Sequence, residues 1–107
     1  MSLIYSNMEH YRKVVSLLKR KCPAKYPVHV RRVTLSRHKD GDCQFKDDKF
    51  LIRINRELEE YMAIEVFLHE LAHVLSWDEN KDAHHKGWGV AFSRVYRIFL
   101  KEFLDKI

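Results

Sequence analysis

The residues best suited to do chemistry in this 107-residue chain are two histidines and a glutamate that lie close together. The segment His69-Glu70-Leu71-Ala72-His73 places the histidines at positions i and i+4. These positions lie about one turn apart on the same face of a helix, so both imidazoles can reach one ion. Zinc lowers the pKa of its bound water toward about 7, and Glu70 can then take the proton. The motif therefore predicts that hydroxide attacks a polarised carbonyl.

A catalytic zinc site usually has three protein ligands and one open position, so a third ligand is expected after the motif. The candidates that follow the helix are Asp78, Glu79, Asp82, His84 and His85. A histidine in the loop that returns the chain past the helix fits best, and His84 follows His73 by eleven positions. Spacing does not separate the two loop histidines. Both His84 and His85 therefore stay open as the third ligand.

Other side chains near the motif have candidate roles. Three of them could donate to a developing oxyanion: Tyr96, Arg94 and His85. Tyr96 is equally explained as a core aromatic, and Arg94 as a surface charge. Asp78 could orient a ligand histidine, a role that such sites usually need. Trp77 and Trp88 are expected to pack the helices around the metal rather than to bind substrate.

The motif must be positioned by a helix, and the surrounding sequence predicts one. Most positions from Tyr61 to Leu75 are apolar on every side, which is typical of a buried helix. Asn55 is expected to cap this helix, which should end near Ser76. Two histidines and an acid in such a helix are costly without an ion or hydrogen bonds. The alternative to a metal site is a hydrogen-bonded pair of core histidines with a buried acid.

A first helix is predicted from about Met8 to Lys21, where apolar residues recur at helical spacing. Ser6, three residues before Glu9, is typical of a capping box. Cys22-Pro23 should end the helix, because proline cannot continue it.

Three segments are predicted to form strands: Val28–Leu35, about Cys43–Lys46 and Phe50–Ile54. Arg31-Arg32 interrupts the alternation of the first strand and suggests a bulge. Lys39-Asp-Gly-Asp42 and Asp47-Asp48 are turn signals, and the second should join the last two strands as a hairpin. A last helix is predicted from Lys86–Trp88 almost to the chain end. The order is helix, small antiparallel sheet, helix, helix, which predicts a single α+β domain over residues 1–107.

Composition limits the remaining possibilities. The net charge of +5 suggests a mild attraction to nucleic acid or acidic surfaces, with basic clusters at Lys19-Arg20-Lys21 and Arg31-Arg32. The first cluster is equally explained as compensation of a helix dipole. Cys22 and Cys43 form no C-x-x-C pair, so neither a disulfide framework nor a cysteine zinc site is expected. The start resembles no secretory signal and no stretch approaches a membrane span, so a cytoplasmic location without membrane association is predicted.

The motif, a loop, then His84 with Trp88 four residues on resembles the SprT-like family of zinc metallopeptidases, especially its short stand-alone domains. The resemblance covers about Lys49 to Arg97. It implies a minimal zincin-like fold, one zinc ion held by His69, His73 and His84, and hydrolysis of peptide bonds in a protein or peptide substrate. Some relatives act on proteins attached to DNA, which makes DNA a possible partner. His85 stands where the family commonly has glycine, which keeps His85 open as the ligand.

Two other functions remain open from the sequence. The chain could be a binding protein that keeps zinc as a structural brace or has lost turnover, because a short domain has little room for a groove beside the ion. It could also be a nucleic-acid-associated adaptor that uses its basic residues as the working surface, in which case affinity for DNA should fall steeply with salt.

Overall fold

The computed structural model describes residues 7–78 and 84–104. Its elements are α1 (Glu9–Lys21), β1 (Val28–Val33), β2 (Gly41–Lys46), β3 (Lys49–Asn55), α2 (Glu60–Leu75), α3 (Lys86–Phe99) and a closing π-helical segment (Leu100–Leu104). The predicted α+β order of one helix, a small sheet and two helices is confirmed. Within these residues, no helix is both long and apolar enough to span a bilayer.

The sheet has three strands in the order β1-β3-β2 and is mixed rather than wholly antiparallel. β2 and β3 form the predicted antiparallel hairpin. β1 pairs with β3 in parallel, which corrects the expectation of an antiparallel sheet. A parallel pair needs a crossover connection, and the chain makes it by passing through β2 on the far side of β3.

The first strand is shorter and more regular than predicted, because it ends at Val33 and contains no bulge. Its register with β3 runs without interruption from Val28 to Val33. Arg32 is half-buried and donates through Nη2 to the Arg56 carbonyl at 2.8 Å, whereas Arg31 is exposed. The broken alternation in the sequence therefore marks a hydrogen-bonded arginine on the inner face of the strand.

The two predicted turns differ in how well they match the structure. Asp47 and Asp48 form the hairpin turn with φ of 54° and 57°, a conformation that two-residue hairpin loops require. The other turn lies at Arg37 and His38, and Gly41 already belongs to β2. The glycine that had suggested a turn at 39–42 therefore has another role, in the wall of the cavity described below.

The helix α2 occupies the centre of the molecule and contacts α1, α3, β2 and β3. Its fully buried apolar side chains are Ala63, Phe67, Leu68, Leu71 and Ala72. The helix is capped by Glu59, whose Oε1 accepts from the Met62 amide at 2.9 Å, and not by Asn55. Asn55 is 3% exposed, and its side-chain amide instead donates to the carbonyls of Ser36 and Lys39. The buried amide thus holds the loop that precedes β2.

The helix α1 packs Tyr11, Val14 and Leu18 into the core, as its apolar spacing predicts. It starts after Met8, whose φ is 62° and which provides no side-chain cap. The expected capping box involves Ser6, which lies outside the described residues.

Candidate metal centre

Three histidines converge in the structure. His69, His73 and His84 each bring a side-chain ligand atom to within 4.8 Å of the others. The Nε2 atom of His69 lies 3.2 Å from Nε2 of His73 and 3.3 Å from Nε2 of His84. A tetrahedral ion with metal–nitrogen bonds of about 2.0–2.1 Å holds its ligand nitrogens about 3.3–3.4 Å apart. The three histidines therefore lie close enough to bind one metal ion, and the two Nε2 separations fit it.

Two elements bring these rings together. His69 and His73 lie one turn apart and are half-buried, whereas Leu68, Leu71 and Ala72 on the same helix are fully buried in the core. His84 arrives from the turn just before α3, and its ring centroid lies 4.7 Å from that of His73. The packing of α2 against α3 thus sets the distance between the pair on the helix and the loop histidine.

Trp88 packs against all three imidazoles. Its ring centroid lies 5.0 Å from that of His69, 5.6 Å from His73 and 4.8 Å from His84. Its indole Nε1 donates to the His69 carbonyl at 3.4 Å, and its ring stacks on Phe92. These contacts agree with the predicted packing role of Trp88 and restrict the orientation of the histidine rings.

Trp77 was expected to pack beside the metal as well, but its ring contacts lie elsewhere. It is exposed, and its ring lies 6.1 Å from that of Phe45 and 5.6 Å from that of Phe50. Trp77 therefore extends the aromatic side of the hairpin.

His85 is occupied with a structural contact. Its Nδ1 accepts from the Gly87 amide at 2.9 Å, which caps the start of α3. Its Nε2 lies 2.9 Å from the Ser76 carbonyl, so that nitrogen carries the proton and donates. A Cβ at position 87 would lie 2.5 Å from Cε1 of His85, so this cap requires glycine. Both ring nitrogens of His85 are thus engaged by the protein, and His84 is the loop histidine that joins the cluster.

Glu70 is buried beside the cluster, with 7% of its surface exposed. Burial raises the pKa of its carboxyl to about 7, the negative charge of Asp42 adds to the rise, and Lys39 opposes it. The pKa of His69 is lowered, mainly because burial disfavours the charged ring and also because His84 lies nearby. A neutral imidazole is the form that binds metal, so this shift favours the ligand state.

A cavity of about 370 Å³ opens beside His69 and Glu70. Its other lining residues are Asp40, Gly41, Glu65, Val66 and Phe92. A Cβ at position 41 would lie 2.6 Å from Cγ1 of Val66 and 2.7 Å from the Arg53 carbonyl oxygen. Only glycine allows the start of β2 to approach α2 this closely. Sequence reasoning missed this wall, although a glycine at the edge of a strand is a signal of close backbone approach.

The two candidate oxyanion donors on α3 have other neighbours in the structure. Tyr96 packs between Phe92 and Phe99, with ring centroids 5.7 and 6.0 Å away. Arg94 is exposed and lies near Cys22, whose pKa is raised by burial and lowered in part by this charge. Neither is among the described residues that line the cavity. Their proposed roles stay predictions.

Of the acidic candidates for the third ligand in the loop after α2, Asp78 alone lies among the described residues. Asp78 is exposed and lines a separate cavity with Trp77, and its role in orienting a histidine stays a prediction. Glu79 and Asp82 lie outside the described residues.

The three imidazoles therefore converge on one another, and His69 also lines the cavity that is lined by the buried Glu70. Such a set can hold a cation and move a proton at the same place. Comparison with models of known protein families, with curated proteins and with solved structures gives no match to this chain.

Proposed function

We propose that this chain is a zinc-dependent hydrolase that cleaves peptide bonds, of the SprT-like type that its motif resembles. The observation that carries this proposal is the convergence of His69, His73 and His84 at distances suited to one tetrahedral ion. Three imidazoles match the preference of zinc for nitrogen ligands and leave a fourth position open. The buried carboxyl of Glu70 lines the same cavity as His69 and supplies the acid–base group.

Zinc held by these histidines would supply Lewis acidity and a water molecule of lowered pKa. Glu70 takes the proton of the attacking water and returns it to the leaving amine. Burial, with a smaller contribution from Asp42, raises the pKa of this carboxyl to about 7 before any cation is bound. A neighbouring cation lowers that pKa and so favours the carboxylate that a base must be.

The position of β2 supports a peptide as the substrate. β2 is an edge strand, and among the described residues it pairs with β3 alone. A free strand edge presents backbone N–H and C=O groups to which an extended peptide can add as a further strand. Since Gly41 at the start of β2 lines the cavity with His69 and Glu70, a peptide on this edge would run past the proposed catalytic groups.

Two features bear on the family assignment and the partners. His85, which stands where SprT-like domains commonly have glycine, serves as the cap of α3, so this departure leaves His84 available as the third ligand.

A protein or peptide substrate is the partner that the proposal requires. Association with DNA stays a prediction that rests on net charge and on exposed clusters such as residues 19–21.

The test is to compare Glu70→Gln with Glu65→Gln in the cleavage of a quenched fluorescent peptide library by zinc-loaded protein. Both residues lie on α2 and line the same cavity, and both substitutions replace a carboxyl with an amide of nearly equal size. Glu70→Gln should lower kcat about 10²–10⁴-fold with zinc stoichiometry unchanged, because it removes the general base. Glu65→Gln should keep most of the activity.

The outcomes separate the alternatives. Equal losses in both variants would contradict the role of Glu70. A wild-type protein that binds one zinc ion but cleaves no peptide would instead favour a binding protein that keeps the metal without turnover.

A further inference from the structure

A second cavity, of about 350 Å³, lies between α1 and β1 and shares no residue with the cavity beside the histidines. The described side chains that line it include three cations, two hydroxyls and no carboxylate: Arg12, Lys19, Arg32, Tyr11 and Ser16. Val15 and Val30 complete the lining. A pocket with this composition attracts anions.

Two buried polar atoms in this lining have no hydrogen-bond partner among the described residues, Oη of Tyr11 and Nε of Arg32. Tyr11 is 5% exposed. Buried polar groups in native proteins are nearly always paired, so two unpaired donors in one pocket indicate a ligand that accepts from both.

The two donors are held in place by contacts that use their other groups. Nη2 of Arg32 donates to the Arg56 carbonyl at 2.8 Å, which leaves Nε as a free donor. The backbone amide of Tyr11 donates to Oε2 of Glu60 at 3.0 Å and fixes that residue at the start of α1. Burial raises the pKa of Tyr11 to about 12, with Arg32 opposing the rise, so the hydroxyl keeps its proton near neutral pH.

We propose that this cavity binds the phosphate group of a small phosphorylated molecule, with Tyr11 Oη and Arg32 Nε donating to its oxygens. A phosphate monoester carries several acceptor oxygens and a charge of about −1.5 to −2, which suits two unpaired donors in a lining that contains three cations. Arg12 and Lys19 balance this charge. A volume of about 350 Å³ exceeds the need of phosphate alone, and the two valines provide an apolar surface for an organic part. This site is independent of the proposed hydrolase function.

The experiment is a titration of the full chain with inorganic phosphate and with phenyl phosphate at constant ionic strength, followed through the ¹⁵N resonances of arginine Nε–H. The Arg32 resonance should shift and saturate with both ligands, whereas chloride at equal ionic strength should leave it unmoved. Tyr11→Phe should weaken binding at least about tenfold, because a hydrogen bond to a charged group is lost. The same variant should melt no lower than the wild type without ligand, because the hydroxyl has no protein partner to lose.

A matched pair of arginine variants separates a built site from general charge attraction. Arg32→Gln and Arg31→Gln change the net charge equally, but Arg31 is exposed on β1 and does not line the cavity. Only Arg32→Gln should abolish saturable binding, which in both variants is followed through the Nε–H resonance of Arg12, another residue of the cavity lining. An unmoved Arg32 resonance, or equal weakening in both variants, would overturn the proposal. Binding of duplex DNA through these residues without saturable phosphate binding would also overturn it, in favour of a nucleic-acid interface.

Discussion

The two adjacent histidines before α3 make different contacts, so their substitutions should have different effects. His84→Ala removes one of three converging imidazoles, and we expect zinc affinity to fall by more than the roughly 10–100-fold that loss of an outer-shell partner costs. His85→Ala removes the cap of α3 and the bond to Ser76, and should lower the free energy of unfolding of metal-free protein by about 1 kcal/mol. Competition with a chelator and thermal unfolding in EDTA measure the two effects. The opposite pattern would make His85 the ligand.

Asp42 gives a pH dependence whose sign is fixed by its contacts. Arg53 lowers the pKa of this carboxyl by donating to it, and Lys39 at 2.8 Å adds to the effect, while burial opposes it. A lowered pKa in the folded state adds stability above the unfolded value of about 4, and this stability is lost as pH falls through the folded pKa.

We therefore expect Asp42→Asn to lower the free energy of unfolding at pH 7 by about 1 kcal/mol, the upper end for partly exposed pairs. The difference from wild type should shrink steadily as pH falls below about 4. Urea denaturation at several pH values measures it. A difference that stays constant down to pH 2 would contradict an electrostatic origin.

At the scale of elements, the hairpin turn allows a stabilising change. Asp47 and Asp48 both have positive φ, and Asn-Gly is the sequence that such two-residue turns prefer. Replacing Asp47-Asp48 by Asn-Gly should raise the free energy of unfolding by about 0.5–1 kcal/mol, because it relieves left-handed backbone strain. Urea denaturation should show a higher midpoint with an unchanged slope. A lower midpoint would mean that these aspartates make contacts that outweigh the strain.

Some elements of the fold can be predicted from local signals in the sequence, and others cannot. Helices α1 and α3 and the pairing of β2 with β3 follow from local signals, namely apolar spacing and a two-residue turn. The parallel pairing of β1 with β3 does not follow from local signals. It joins segments about 20 residues apart, and neither segment carries a sequence pattern that specifies the other as its partner. The cap of α2 was also missed, since Asn55 is a good cap by type but has its amide committed to the loop before β2.

The candidate site was predictable to the extent that it depends on helical spacing. His69 and His73 follow from the i, i+4 rule, and the reach of the loop predicts that one of two adjacent histidines joins them. The separation of His84 from His85 required the geometry of the α3 cap. The cavity wall at Gly41 required the docking of β2 on α2. Both are contacts between elements, which local patterns do not encode.

At the scale of the whole molecule, the proposed ion joins α2 to the segment before α3 and should stabilise the entire domain. Zinc at about 1,000 times its Kd adds roughly 4 kcal/mol to the free energy of unfolding. For a domain of this size, that raises Tm by roughly 10–20 °C. Thermal unfolding with zinc and with EDTA measures the shift. His29→Ala, which removes an exposed histidine on β1, should keep it, whereas His73→Gln should lose most of it.

The most direct measurement of the central claim is the zinc K-edge X-ray absorption spectrum of protein loaded with one equivalent of zinc. We predict three imidazole nitrogens at about 2.0–2.1 Å and no sulfur ligand. In His84→Ala the spectrum should lose one imidazole, and in His85→Ala it should be unchanged. A sulfur scatterer at about 2.3 Å, or fewer than three imidazoles in the wild type, would contradict the proposed site.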